Sequence, residues 1–143
     1  MPRFAQYGYT RHTQEISIPF TGFLSVTTQA NFLLSKTLGY QAELEKVEIV
    51  PSVVGTGAGA TRLINVRKGN ATGTVIGAVT ATLANQGTLG VVTVGTVTSA
   101  AAANVLQDSD TFTIEFPTAG STAFTAGGLI LMLTWRVKNQ RAI

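Results

Sequence analysis

The single histidine of this chain, His12, lies between Arg11 and Thr13. A Ser-His-Asp arrangement would need its ring held rigidly by a third group, and a charged segment near the start of the chain offers no such setting. His12 therefore reads as a surface histidine. Carboxylates cluster twice. Glu43, Glu45 and Glu48 flank Lys46 in "AELEKVEIVPSVV", where they read as charges guarding an exposed strand edge. Asp108 and Asp110 in "LQDSDTF" read as caps of a turn whose oxygens accept backbone N–H groups; a calcium loop would need further oxygen ligands and a closing Glu. With no cysteine and no His cluster, neither a thiolate nucleophile nor a zinc site can be assembled. "VGTGAGATR" lacks the Gly-Lys-Ser/Thr ending of a phosphate loop and no helix pattern follows it, so it reads as a connection between strands. Asn70-Ala71-Thr72 is formally a glycosylation acceptor. It is expected to stay unmodified, because "MPRFAQYGYTRHTQ" has no apolar segment of the secretory or membrane-anchor kind. The residues assemble no enzyme site, and no metal or cofactor is expected.

What positions these residues is a chain poor in charge. Only 12% of its 143 residues are charged and 45% are hydrophobic, whereas about 25% charge is usual. A freely solvated surface needs more, which points to large surfaces covered by other subunits. The net charge of +3 is unevenly placed. Arg3 and Arg11 near the start, and Arg136, Lys138 and Arg141 near the end, face no acid in their own segments, while the body between holds five basic residues against all seven acids. Basic ends of this kind suit an acidic partner surface. The division expected is a basic arm over 1–14 and one domain over 15–143.

Period-two alternation dominates that domain. In "TFTIEFP", Phe112, Ile114 and Phe116 point one way and Thr111, Thr113 and Glu115 the other, a strand with one face in a core. "GGLILMLTWRVKNQ" begins apolar on both faces and becomes one-sided at Trp135 and Val137, the pattern of a central strand whose far end reaches the surface. In "AELEKVEIV" the parity slips between Leu44 and Val47, which a bulge at Glu45 and Lys46 would repair. Pro51 argues for an edge or a strand end there. "TRLINVRKGN" is a strand followed by a turn. "EISIPF", "FLSVTT" and "NFLLSKT" are short apolar runs that read as strands between turns; helix is the other possibility in "NFLLSKTLGYQAELEK" and, for at most a turn or two after a Ser99 cap, in "SAAAANVLQDSD". The fold class is all-β: an antiparallel, jelly-roll-like sandwich.

Residues 70–107 contain no Asp, Glu, Lys, Arg or His. Thr or Gly interrupts the run every few positions, against a membrane span of about 20 apolar residues. Read as strands, "GTVIGAVTATL" and "TLGVVTVGTVTS" form a hairpin about the Asn85–Gly87 turn. Its outward threonines, Thr80, Thr82, Thr93, Thr96 and Thr98, make a neutral contact surface for a second copy or a lattice. Stacking aromatics interleaved with basic residues are not found on the strands, so nucleic acid is not favoured as a partner.

The succession of "TRLINVRKG", Thr/Val/Gly-rich strands and "LQDSDTFTIEFPTAGSTAFTAGGLILMLTWRVK" resembles small virion proteins of tailed bacteriophages, over roughly residues 42–138. The resemblance implies a head decoration or cement protein, often a trimer, made in the host cytoplasm and seated on the capsid surface. Its partners would be itself and the major capsid protein. It would also make the arm the clamp, with Arg3, Phe4, Tyr7, Tyr9 and Arg11 as anchors, residue types that dominate interfaces. The alternatives kept open are a head or tail fibre module and a jelly-roll carbohydrate-binding module, the latter needing exposed aromatics whereas Trp135 alternates with core leucines and reads as buried.

Overall fold

The computed structural model describes residues 12–21, 32–117 and 121–138. Among the described residues ten strands follow one another: β1 (Thr13–Thr21), β2 (Phe32–Thr37), β3 (Ala42–Thr56), β4 (Thr61–Lys68), β5 (Val75–Thr82), β6 (Thr93–Val94), β7 (Thr96–Val97), β8 (Val105–Leu106), β9 (Thr111–Phe116) and β10 (Ala126–Val137). They form two antiparallel sheets, β1-β10-β3-β6 with β8 beside β3, and β2-β9-β4-β5-β7. Leu44, Val47, Ile49, Leu129, Leu131, Leu133 and Trp135 from the first sheet meet Ile64, Val66, Phe112, Ile114 and Phe116 from the second in one buried core. The expected all-β sandwich is the fold.

The central position of β10 follows from its pattern: β1 pairs with it on one side and β3 on the other. Trp135 is 0% exposed and packs on Phe112 with ring centroids 5.1 Å apart. The parity slip in β3 is a bulge. Thr134 pairs with Lys46 but Trp135 pairs with Leu44, leaving Glu45 as the extra residue, so that Leu44 and Val47 both face inward. Pro51 is tolerated because β6 pairs only with Glu48 and Ile49, so at Pro51 the β-ladder runs on one side only.

Four expectations are corrected. The stretch "NFLLSKTLGYQAELEK" supplies β2 and the start of β3, not a helix. The Ala-rich segment makes one 3₁₀ turn, Ala100–Ala102, as short as expected, but Ser99 precedes it without the expected capping side-chain bond. Glu43 guards no edge: β10 lies beside β3, and Arg136 and Lys138 bond the Glu43 carboxylate, Lys138 Nζ at 3.2 Å. The outer face of β9 is also covered, with Thr113 and Glu115 both buried.

The long hairpin is corrected as well. Asn85 does build the turn after β5, its Oδ1 accepting Thr82 N at 2.8 Å and its Nδ2 donating to Thr80 O at 2.9 Å. The chain then leaves the sheet. It runs beside β3, with Gly55 N bonded to Gln86 O at 2.9 Å, and pairs through Thr93 and Val94 with Ile49 and Glu48 of the opposite sheet. At Gly95 it crosses back, and Thr96 and Val97 pair with Ala78 and Gly77 of β5. Only glycine fits the crossing, since a Cβ there would lie 2.2 Å from Ala78 O and 2.7 Å from Val79 Cβ. The neutral segment thus laces the two sheets together along one side.

Candidate interaction surface

The arm anchors Arg3, Phe4, Tyr7, Tyr9 and Arg11 lie outside the described residues. Thr13 and Gln14 belong to β1, and His12 is exposed, its carbonyl accepting Val137 N at 2.9 Å. Among the described residues no group of three or more His, Asp or Glu could hold a metal ion, and no helix is long and apolar enough to cross a membrane. Asp110 caps the turn before β9 by accepting Gln107 N at 2.8 Å, which matches the reading of "LQDSDTF" as a turn. Asn70 likewise closes a turn, its Oδ1 accepting Thr72 N at 2.9 Å.

The threonines converge in part. Thr80, Thr93 and Thr96 line one shallow cleft of about 320 Å³ with Ala78, Val79, Val94 and Gly95, where the lacing segment meets β5. Thr82 and Thr98 do not line it. All seven lining residues are uncharged, so the cleft offers hydroxyls and apolar carbon but no charge.

Beside it lies a feature that alternation alone did not single out. Leu89, Val91, Val92 and Val94 are exposed, Val94 at 61%, and Val53 and Val54 of the adjoining β3 are exposed too. Gly90 N lies 3.5 Å from Pro51 O, which holds the lacing segment against that part of β3. Half the surface of six such side chains is on the order of a few hundred Å², the size at which an apolar patch on a monomer is commonly functional. The sequence signal available was "TLGVVTV", five apolar or glycine positions with no charge to guard them.

The outer faces carry the ionic groups. Burial acts to raise the Glu43 carboxyl, but the hydrogen bonds and charges of Arg136 and Lys138 outweigh it and hold Glu43 below its usual range. On β9, Glu115 Oε1 accepts from Asn65 Nδ2 at 3.1 Å and from Arg67 Nε at 3.0 Å. One cation faces the other way: Arg62 of β4 shares the core-facing parity of Ile64 and Val66 and is 1% exposed.

This architecture has a counterpart among solved structures. It is a chain of the capsid of Ralstonia phage GP4. The TM-score is 0.59 with 15% identity, over 93% of this chain and 87% of that one. The likeness spans nearly both chains, so it is a likeness of whole folds. No family model matches the sequence, and no curated protein matches it.

Proposed function

We propose that this chain is a structural protein of a bacteriophage virion that binds the outer surface of the capsid as a homo-oligomer and stabilises the lattice. The observation that carries the reading is the whole-chain likeness of its fold to a chain of a phage capsid. The charge-poor composition and the exposed apolar strip from Leu89 to Val94 support a protein that works inside an assembly. The basic arm supplies Arg, Phe and Tyr anchors suited to an acidic capsid surface. The likeness to a capsid chain makes the reading one of a non-enzyme. The carbohydrate-binding alternative is not favoured, because Trp135 is buried, as its alternation with core leucines led us to expect.

The test is to add purified protein to capsids that lack it and to locate the bound mass by electron microscopy. Density repeated across the head is expected, together with a raised temperature of capsid disruption. Density confined to one position on the virion would favour a fibre module, and no binding would overturn the proposal. Removing residues 1–11, which leaves β1 whole, is expected to abolish binding while the melting temperature of the domain is retained.

A further inference from the structure

Charge is absent from four long stretches of the chain, 16–35, 49–61, 69–107 and 116–135, and all ten basic and all seven acidic residues lie outside them. The register of the strands brings these stretches to one end of the sandwich. β1 finishes at Thr21 beside Gly128, and β3 at Thr56 beside Ala126, both at the start of β10. β5 finishes at Thr82 beside Thr61, where β4 begins, and β9 finishes at Phe116 beside Phe32, where β2 begins. The connections after β1, β3, β5 and β9 therefore all leave the sheets at the same end, and each is uncharged. Three of them are bound together: Gly55 N donates to Gln86 O at 2.9 Å, Thr122 N donates to Thr61 O at 2.9 Å, and Gly55 is packed so closely that a Cβ there would lie 2.8 Å from Phe124 Cε1.

The two charged residues nearest this end, Arg62 and Glu115, are 1% and 5% exposed, so neither presents its charge at the surface. What the end does present is apolar: Val53, Val54, Leu89, Val91, Val92 and Val94 are all exposed. The opposite end is built differently. Glu43 bonds Arg136 and Lys138 there, Lys68 stands 3.8 Å from Asp110, and Asp108 is exposed. The basic segments 1–11 and 139–143 join the sandwich at that charged end, at His12 and Lys138, where Val137 N donates to His12 O at 2.9 Å.

We infer that the charge-free end is where copies of this chain associate, with the charged end turned away from the contact. The inference rests on the homo-oligomer of the proposed function and names its surface. Copies related by a two-fold axis bring the same patch of each together, so residues near the axis meet their own kind. At the charged end that arrangement sets like charges against each other; at the neutral end it buries carbon against carbon and strands no charge. A partner with a charged face is disfavoured for the same reason, since its charges would be buried here without a counter-charge. The six apolar side chains supply on the order of a few hundred Å². The turns at Ala58 and Thr88, exposed and uncharged, extend that surface towards the roughly 800 Å² per partner that a stable interface buries. The joins at His12 and Lys138 then face away from the contact, which leaves the basic segments to an acidic surface.

The chain has no cysteine, so a single introduced thiol can carry a spin label alone. The test labels Ala58→Cys at the neutral end and Asp108→Cys at the charged end of the full chain, both exposed positions, and measures distances between copies by pulsed electron paramagnetic resonance. The nine residues of β1, at about 3.3 Å each, make the sandwich about 30 Å long. Labels on Ala58→Cys are expected within about one such length of each other, and labels on Asp108→Cys nearer two. Loss of the oligomer on labelling Ala58→Cys but not Asp108→Cys would support the same contact. Close labels at Asp108→Cys with distant ones at Ala58→Cys would overturn the inference. The solution mass of the wild type is expected to hold from about 0.05 to about 0.5 M NaCl, because the contact contains no charge to screen; dissociation by salt would also overturn it. A wild type that is monomeric throughout would overturn the inference while binding of that monomer to capsids would leave the capsid reading standing. An oligomer with close Ala58→Cys labels that does not bind capsids would overturn the capsid reading alone.

Discussion

Arg67 and Glu115 meet on the outer face of the second sheet, where Nε and NH2 of the guanidinium both stand 3.0 Å from the same carboxylate oxygen. Arg67 is itself anchored, its NH1 donating to Gly73 O at 2.8 Å. The pair is asymmetric in burial, with Glu115 nearly closed off and Arg67 partly exposed. Removing the arginine leaves a buried carboxylate with Asn65 as its remaining neutral donor.

Arg67→Met is therefore expected to destabilise the fold by about 2 kcal/mol, below the usual range for breaking a buried pair because water still reaches the arginine side. The double variant Arg67→Met with Glu115→Met should recover most of the loss, since it removes both charges. Urea unfolding of the two variants and the wild type checks this. A double variant no more stable than Arg67→Met would show that the carboxylate was not the source of the cost.

How far the sequence carried is visible in particular residues. The bulge at Glu45 was legible because Leu44 and Val47 cannot both face one core without it, a constraint that sits within four residues. The central place of β10 was legible from its two apolar faces. The crossing at Gly95 was not: the Thr/Val parity does slip there, Thr93 and Thr96 standing three apart, but the choice of partner strand is made by residues far away, Ile49 and Ala78. The burial of Glu115 was hidden for a similar reason: its cover is Arg67, which comes from the neighbouring strand. Of the expected contact threonines, Thr80, Thr93 and Thr96 share one cleft only because the chain makes that crossing.

The crossing itself gives a sharp test. A Cβ on Gly95 would meet backbone at Ala78 O, which cannot turn aside as a side chain end could. Gly95→Ala is expected to cost at least about 3 kcal/mol, the upper end of overpacking penalties, measured by the midpoint of thermal or urea unfolding. Retained stability would mean that the lacing segment can separate from β5 without loss.

The ionic cluster on the first sheet predicts a pH dependence. Glu43 is held below its ordinary value by Arg136 and Lys138 despite the opposing effect of burial. Its contribution is therefore present above the unfolded carboxyl value, about 4.3, and is lost as pH falls through the lower folded value. Glu43→Gln should melt below the wild type at pH 7, and the gap should close as pH is lowered from about 5 towards 3. A gap independent of pH in that window would assign the effect to packing instead.

The apolar strip tests the proposed homo-oligomer directly. Val94 faces Glu48 across the ladder, so an acidic substitution there would add repulsion inside the fold, whereas a lysine opposite a glutamate is compatible with it. Leu89→Lys combined with Val94→Lys is thus expected to change monomer stability by no more than about 0.5 kcal/mol per site, as for other exposed positions. It should nevertheless reduce the solution mass measured by light scattering from an oligomer to a monomer, because burying two new ammonium groups in an uncharged interface leaves them without partners. Lysines on the neighbouring Thr80 and Thr96, which line the cleft, should have a weaker effect if the strip is the centre of the contact and the cleft its rim. An oligomer that survives the Leu89 and Val94 pair but is broken at Thr80 and Thr96 would move the interface to the cleft, and a monomeric wild type would remove self-association from the proposed function.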